Sequence, residues 1–228
     1  RENITGYYVY VGGGAVYSPP PSYPKILITE IQIAGKDAEG NKIEKDDFVE
    51  LFNPNSWDVD LTNWYLQRKT KGASDFLTYA PKKLFFGKII KAKDYFLIAN
   101  ASSTFSADAT TTYPLTEDNT LYFKNPNGEI VDKVGWGEAQ DFETATTTNP
   151  QPGESIGRKW STTTESYIDT DNNYNDFEIQ TPTPKTQNQS PQLPQNQLPI
   201  AQFVYAPENP IVNQEITFDA SSSTDDGS

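Results

Sequence analysis

The sequence predicts an all-β fold, a sandwich or a barrel rather than an α/β arrangement. Three observations predict it. Short β-branched and aromatic runs recur from Lys25 to about Lys185, each run is bounded by Gly, Pro, Asn or Asp, and no stretch carries a convincing helical period. Residues 26–34 (ILITEIQIA) open the series, with Leu27, Ile31 and Ile33 expected on one face and Glu30 and Gln32 on the other. Residues 47–53 (DFVELFN) alternate again, placing Phe48, Glu50 and Phe52 opposite Val49 and Leu51. Residues 64–69, 76–79, 84–90, 95–99, 121–124, 130–136 and 155–160 continue the pattern. Asn125-Pro126-Asn127-Gly128 reads as a hairpin turn, since Asn-Gly tolerates positive φ. One helical turn is expected near residues 138–143.

Composition separates this body, residues 25–186, from its flanks. Residues 1–24 form an arm: a strand-like run at 4–11 (ITGYYVYV), then Gly12-Gly13-Gly14 and Ser18-Pro19-Pro20-Pro21, residue types that suit a spacer. The run is uncharged and hydrophobic, so it is expected to pair with its own sandwich or with a neighbouring chain. Residues 187–199 (QNQSPQLPQNQLP) are a linker by composition. Strand signals resume at 200–205 and 215–220, and residues 200–228 are too few to enclose a core of their own.

The residue types that are missing exclude most chemistry. There is no His, Cys or Met among the 228 residues. Imidazole bases, thiolate nucleophiles, disulfides and Cys/His zinc sites are therefore absent. Eighteen Lys+Arg against 31 Asp+Glu give a formal net charge of −13, which repels phosphate backbones and argues against nucleic acid as a partner. No apolar run approaches the ~18 residues that a membrane span needs.

The order of motifs resembles the lamin-tail domain family. It is carried by Asp47-Phe48-Val49-Glu50-Leu51-Phe52-Asn53-Pro54 and then Val59-Asp60-Leu61-Thr62-Asn63-Trp64-Tyr65-Leu66. Ile28-Thr29-Glu30-Ile31 precedes these, and Asp94-Tyr95-Phe96-Leu97-Ile98-Ala99-Asn100 follows. Residues 128–137 (GEIVDKVGWG) and 153–159 (GESIGRK) also sit where that family expects them. The resemblance implies an immunoglobulin-like β-sandwich of lamin-tail type. It also implies an accessory module of a secreted or surface protein, without known catalytic residues. Residues 198–227 resemble the opening of a PKD domain, another surface sandwich, here incomplete. Together they imply an extracellular or cell-surface setting, reached through a leader that these residues do not include. Within the motifs, Trp64 and Leu66 are expected in the core, while Glu50 and Asn53 are expected to tie backbone turns.

Four kinds of candidate site follow. Asp169, Asp171, Asn173 and Asp176 can offer oxygen ligands to calcium, the one cofactor the sequence suggests. The spacing begins like an EF-hand loop and departs at Tyr174 and Gln180, so the competing reading is an Asx-rich turn. Trp57, Trp136 and Trp160 are candidates to stack on carbohydrate or on a partner protein, the alternative being core packing. Asp46, Asp47 and Glu50 are the nearest thing to a glycosidase carboxylate pair, although a turn plus a strand makes no cleft. Asn3, Asn100 and Asn188 begin formal glycosylation sequons. The expected function is a non-enzymatic structural or adhesive module with protein–protein contacts, self-assembly by strand exchange included; the alternative is an accessory domain that binds carbohydrate or another surface polymer.

Overall fold

The structure, a computed structural model, describes residues 22–190 and 199–224 in full and residues 7–11 and 14–18 by their backbone. The chain divides into two compact units, residues 1–191 and 192–228. Ten strands build the sandwich of the first unit. They are β1 (Leu27–Gln32), β2 (Phe48–Phe52), β3 (Tyr65–Thr70), β4 (Leu77–Ala80) and β5 (Tyr95–Asn100), then β6 (Ala109–Thr111), β7 (Asn119–Lys124), β8 (Ile130–Gly135), β9 (Ser155–Arg158) and β10 (Phe177–Gln180). One sheet runs β6-β5-β2-β1-β9-β10 and the other β8-β7-β3-β4. Every pairing is antiparallel except β5 with β6. This is the all-β, immunoglobulin-like sandwich expected.

Alternation decides what lies between the sheets. Val49 and Leu51 of β2 face Leu66 of β3, Leu121 and Phe123 of β7 and Val134 of β8 in one buried cluster. Trp64 stacks on Phe123 with ring centroids 5.0 Å apart, and Tyr23 meets its edge at 5.7 Å. The 125–128 turn closes the β7–β8 hairpin as expected, with Gly128 at φ 88° and its N–H donating to the Asn125 carbonyl.

A β-bulge corrects the face assignment of the first strand. The β1–β2 register shifts between Ile28 and Glu30. One extra residue reverses the parity, so Ile26 and Ile28 face the core together with Ile31 and Ile33. Leu27 instead joins Phe52 and Tyr167 on the outer face. That face is also covered. Phe105, in the loop joining β5 to β6, packs on Phe48 at 4.9 Å; a two-stranded hairpin, Trp160–Ser161 with Ser166–Tyr167, lies beside Phe52; and residues 183–188 bond to β1 and β2.

Three other expectations change. Residues 84–90 are not one strand: Lys82–Phe85 form a 3-10 turn after Pro81, Gly87 takes φ 68°, and only Ile89–Ile90 pair, with Val59–Asp60. No helix forms at 138–143, where the Glu138 and Glu143 N–H groups donate to the Asp118 and Asn173 side chains instead of to a helical ladder. The helical turn is Asn173–Asp176, capped by the Asn172 side chain accepting from the Asn175 N–H. The N-terminal run does pair, but with its own neighbour. Tyr7–Val11 lies antiparallel to Gly14–Ser18, part of the stretch read as a spacer.

Among its described residues the second unit holds one antiparallel pair, Val204–Ala206 with Thr217–Asp219, and a bridge between Ile200 and Thr224. Phe203, Val204, Tyr205, Ile211, Val212 and Phe218 are all exposed there. Among the described residues no helix is long and apolar enough to cross a membrane.

Candidate functional site

Two buried polar clusters and one surface groove are the candidates. The first is built around Arg158, the last residue of β9, which is fully buried. Its Nη2 donates to both Asp132 oxygens at 2.9 and 2.8 Å, its Nε to the Ile28 carbonyl at 2.9 Å, and its Nη1 to Asp169 at 3.0 Å and the Ile168 carbonyl at 3.2 Å. Asp176 stands 3.9 Å from Nη1. Burial disfavours the guanidinium charge, but the surrounding carboxylates, Asp132 foremost, raise its pKa above the ordinary value. Burial likewise opposes charge on Asp169, yet a hydrogen bond from Lys25 and the Arg158 charge hold it below the usual carboxylate range. Glu143 is pushed up to about 7 by burial and by the Asp132 charge. Oxygens of Asp132, Glu143 and Asp169 lie within 4.8 Å of one another. The cation beside Asp132 and Asp169 is the guanidinium.

The second cluster is a pair of glutamates on neighbouring strands. Glu30 and Glu50 are cross-strand partners, both fully buried on the outer face of the six-stranded sheet. Glu30 accepts from Ser155 Oγ, Gln180 Nε2 and the Thr183 N–H; Glu50 accepts from Thr29 Oγ1 and the Lys185 N–H. Burial pushes Glu50 up to about 8 and raises Glu30 as well. These acids clasp residues 183–185 onto the sheet. Asn188 continues the strap, its Nδ2 donating to the Thr29 and Arg158 carbonyls.

The groove opens over Phe52 on the outer face of the six-stranded sheet. It measures about 520 Å³ and is lined by Phe52, Lys93, Tyr95, Trp160, Thr162, Glu165 and Gln187. Phe52 anchors its floor, 5.0 Å from Tyr95 and 6.4 Å from Trp160. Tyr167 buttresses both half-buried rings, at 6.4 Å from Tyr95 and 5.1 Å from Trp160, and its hydroxyl bonds to that of Tyr95 at 3.0 Å. Lys93 and Glu165 reach the rim from tight turns with φ 57° and 48°. The rim thus offers one cation, one carboxylate, one hydroxyl and one amide above aromatic faces. That chemistry suits a flat, polar-edged ligand better than an apolar one.

The sequence candidates scatter around this groove. Of the four calcium ligands, Asp169 pairs with Arg158 and Lys25. Asn173 is fully buried, its Oδ1 accepting from the Gly135 and Glu143 N–H groups and its Nδ2 donating to the Lys133 carbonyl. Asp176 accepts from the Thr170 N–H and hydroxyl and from the Asn172 N–H. Asp171 is left on the exposed surface at φ 54°. Asn173 and Asp176 accept from backbone N–H groups in the manner of an Asx-rich turn, while Asp169 and Asp176 both face the Arg158 guanidinium. Trp136 is fully buried, donating to the Thr116 carbonyl, so it is a core residue and not a stacking surface. Trp57 is 58% exposed but stands outside the groove lining, and Trp160 is the one that reaches it. Asp46 and Asp47 bond to Thr104 and to the Leu115 N–H, and with Glu50 they are buried structural acceptors. Asn53 ties its turn as expected, donating to the Trp57 and Lys91 carbonyls at 2.8 and 3.0 Å. The buried Asn100 and Asn188 side chains are not presented to a glycan-transferring enzyme. Asn3 lies outside the described residues. Lys93, Glu165 and Gln187 had no sequence signal, because they come from three separate loops, and Tyr95 was read only as a strand residue.

Comparison with known proteins bears on the sandwich. The family model for the lamin tail domain matches residues 19–138, more than half of the chain. Among solved structures, a DUF4876 family protein from Bacteroides thetaiotaomicron is similar with a TM-score of 0.46 and 12% identity, over 68% of this chain and 70% of that one. No curated protein matches.

Proposed function

The chain belongs to the lamin tail domain family, and on that footing we propose that it is a structural and adhesive module of an extracellular or cell-surface protein, gripping a surface polysaccharide through the groove of Tyr95 and Trp160. A lamin tail domain of immunoglobulin-like fold is consistent with a non-catalytic structural module. One observation carries the finer reading. The groove has the volume of a ligand site and an aromatic floor, but among the described residues its lining holds a single carboxylate, Glu165. Glycoside hydrolysis by general acid–base chemistry takes two. A site with ring faces, a mixed polar rim and one acid is built to hold a sugar and leave it intact. An array of neutral glycans probed with the full chain should give saturable hits that Trp160→Ala weakens about two- to twelvefold, the loss of one stacking ring. Binding unchanged in Trp160→Ala, or an array without hits, defeats the groove reading.

A second reading, assembly through strand exchange, is favoured by the 192–228 unit. Its strand pair leaves Val204, Tyr205 and Phe218 in solvent, which is surface that a partner strand would cover. Light scattering of the full chain would then report species larger than a monomer, reduced by deleting residues 200–224 or 1–17. A monomer at every concentration rules it out.

A further inference from the structure

The outer face of the four-stranded sheet gathers cations on a molecule that is otherwise acidic. Leu66, Leu121 and Phe123 point into the core and fix the parity of β3 and β7. Tyr65 and Lys69 of β3 and Tyr122 and Lys124 of β7 therefore stand on the opposite face. Phe76, just ahead of β4, lies edge-to-face against Tyr122 at 4.7 Å and is 44% exposed. The Lys124 ammonium sits 4.6 Å from the Phe76 centroid, and the Lys69 ammonium 5.8 Å from the same ring. Lys124 is the cross-strand partner of Tyr65, over whose ring the Lys82 ammonium lies at 5.0 Å. Across the face the order is cation, ring, cation, ring, cation: Lys69, Phe76, Lys124, Tyr65, Lys82.

None of these three lysines takes part in an ion pair among the described residues. Asp141, beside Tyr122, is already held by Lys133 and by the Tyr122 hydroxyl. Asp75, next to Phe76, accepts from Ser74. Two ammonium groups sharing one ring repel each other, a cost that an incoming anion removes. With 31 acids available against 18 bases, the absence of carboxylate partners here is a property of the face and not of composition.

The geometry points to an anionic polysaccharide, a chain of uronate sugars, as the ligand of this face. Sugar rings would lie on Phe76 and Tyr65, and their carboxylates would meet Lys69, Lys124 and Lys82. A polyuronate spaces its charges about one per sugar. The −13 body repels both polyanions, but duplex DNA, with a charge every ~1.7 Å, concentrates far more charge against it than a polyuronate does. The site is distinct from the Trp160 groove and does not depend on it.

Affinity electrophoresis of the full chain in gels cast with polygalacturonate tests the assignment, with dextran gels as the uncharged control and salt held near ~20 mM to limit screening. Polygalacturonate should retard the chain and dextran should not. Lys69→Gln/Lys124→Gln should weaken retardation about tenfold or more at an unchanged melting temperature. Phe76→Ala should weaken it too, whereas Trp160→Ala and Lys159→Gln should not. The assignment falls if polygalacturonate leaves mobility unchanged, if the double variant is retarded like the parent, or if Trp160→Ala abolishes the effect. Equal binding of single-stranded DNA of matched charge would also overturn it, because that would be attraction without recognition of a sugar.

Discussion

Replacing Arg158 by Met should destabilise the sandwich more than any single change at its surface. The guanidinium makes five hydrogen bonds, two of them to Asp132, and both side chains are fully buried. Methionine fills much of the volume but leaves the Asp132 carboxylate without its counter-charge, still accepting from the Ile28 N–H at 2.6 Å. Breaking a buried pair by removing one partner costs about 3–5 kcal/mol. In a domain of this size about 1 kcal/mol corresponds to ~2–4 °C, so the melting temperature should fall by roughly 6–20 °C. Asp132→Asn alone should cost less, because Arg158 keeps Asp169 and the Ile28 and Ile168 carbonyls. The double variant, which removes both charges and keeps an acceptor for Ile28, should lose much less than the two singles added together. Urea denaturation of the four proteins gives the coupling energy. A loss below about 1 kcal/mol in Arg158→Met, or additive losses in the double variant, would refute the view that this pair organises the junction of β1, β8 and β9.

Three further outcomes are expected. Burial pushes the Glu50 carboxyl up from 4.5 to about 8, so its contribution to stability is full below about pH 4.5 and is lost as pH rises through about 8. Glu50→Gln should therefore flatten the fall in melting temperature between pH 5 and 8, and an unchanged slope would count against the clasp. Asn53→Ala removes the donor to the Trp57 and Lys91 carbonyls and the acceptor for the Asn55 N–H, and should cost about 1–3 kcal/mol in a denaturant titration. Because Asn173 and Asp176 are committed to backbone and Asp169 to Arg158 and Lys25, exchanging calcium for EGTA should leave the melting temperature unchanged. A rise with calcium would show that the loop rearranges to bind it.

The fold was legible where local pattern and tertiary demand coincide. Alternation set Val49 and Leu51 on one face of their strand, the motif set Trp64 and Leu66 in the core, and all four are buried together there. Asn53 was readable because a strand-ending Asn-Pro leaves nearby carbonyls without donors. Alternation failed at Leu27, where the bulge adds a residue that no single strand can announce. Trp136 stayed open between stacking and core packing for another reason. An aromatic after a strand signals equally a core wedge or an exposed ring, and the Thr116 carbonyl that receives its N–H is 20 residues away.

The sequence by itself determined the layered β-architecture, the absence of imidazole and thiol chemistry, and the family. Each depends on residue types or on neighbours a few positions apart. Only the tertiary structure decided what the acids do. Asp132, Asp169 and Asp176 look in the chain like free carboxylates, two of them like calcium ligands, and become the counter-charges of Arg158 because β8, β9 and the 169–176 turn bring them together. The same holds for the groove of Phe52, Tyr95 and Trp160 and for the row of lysines over Phe76 and Tyr65. A charge or a ring acquires its role from what stands within a few ångströms of it, and in a sandwich of crossing strands those neighbours are set by sheet order and register.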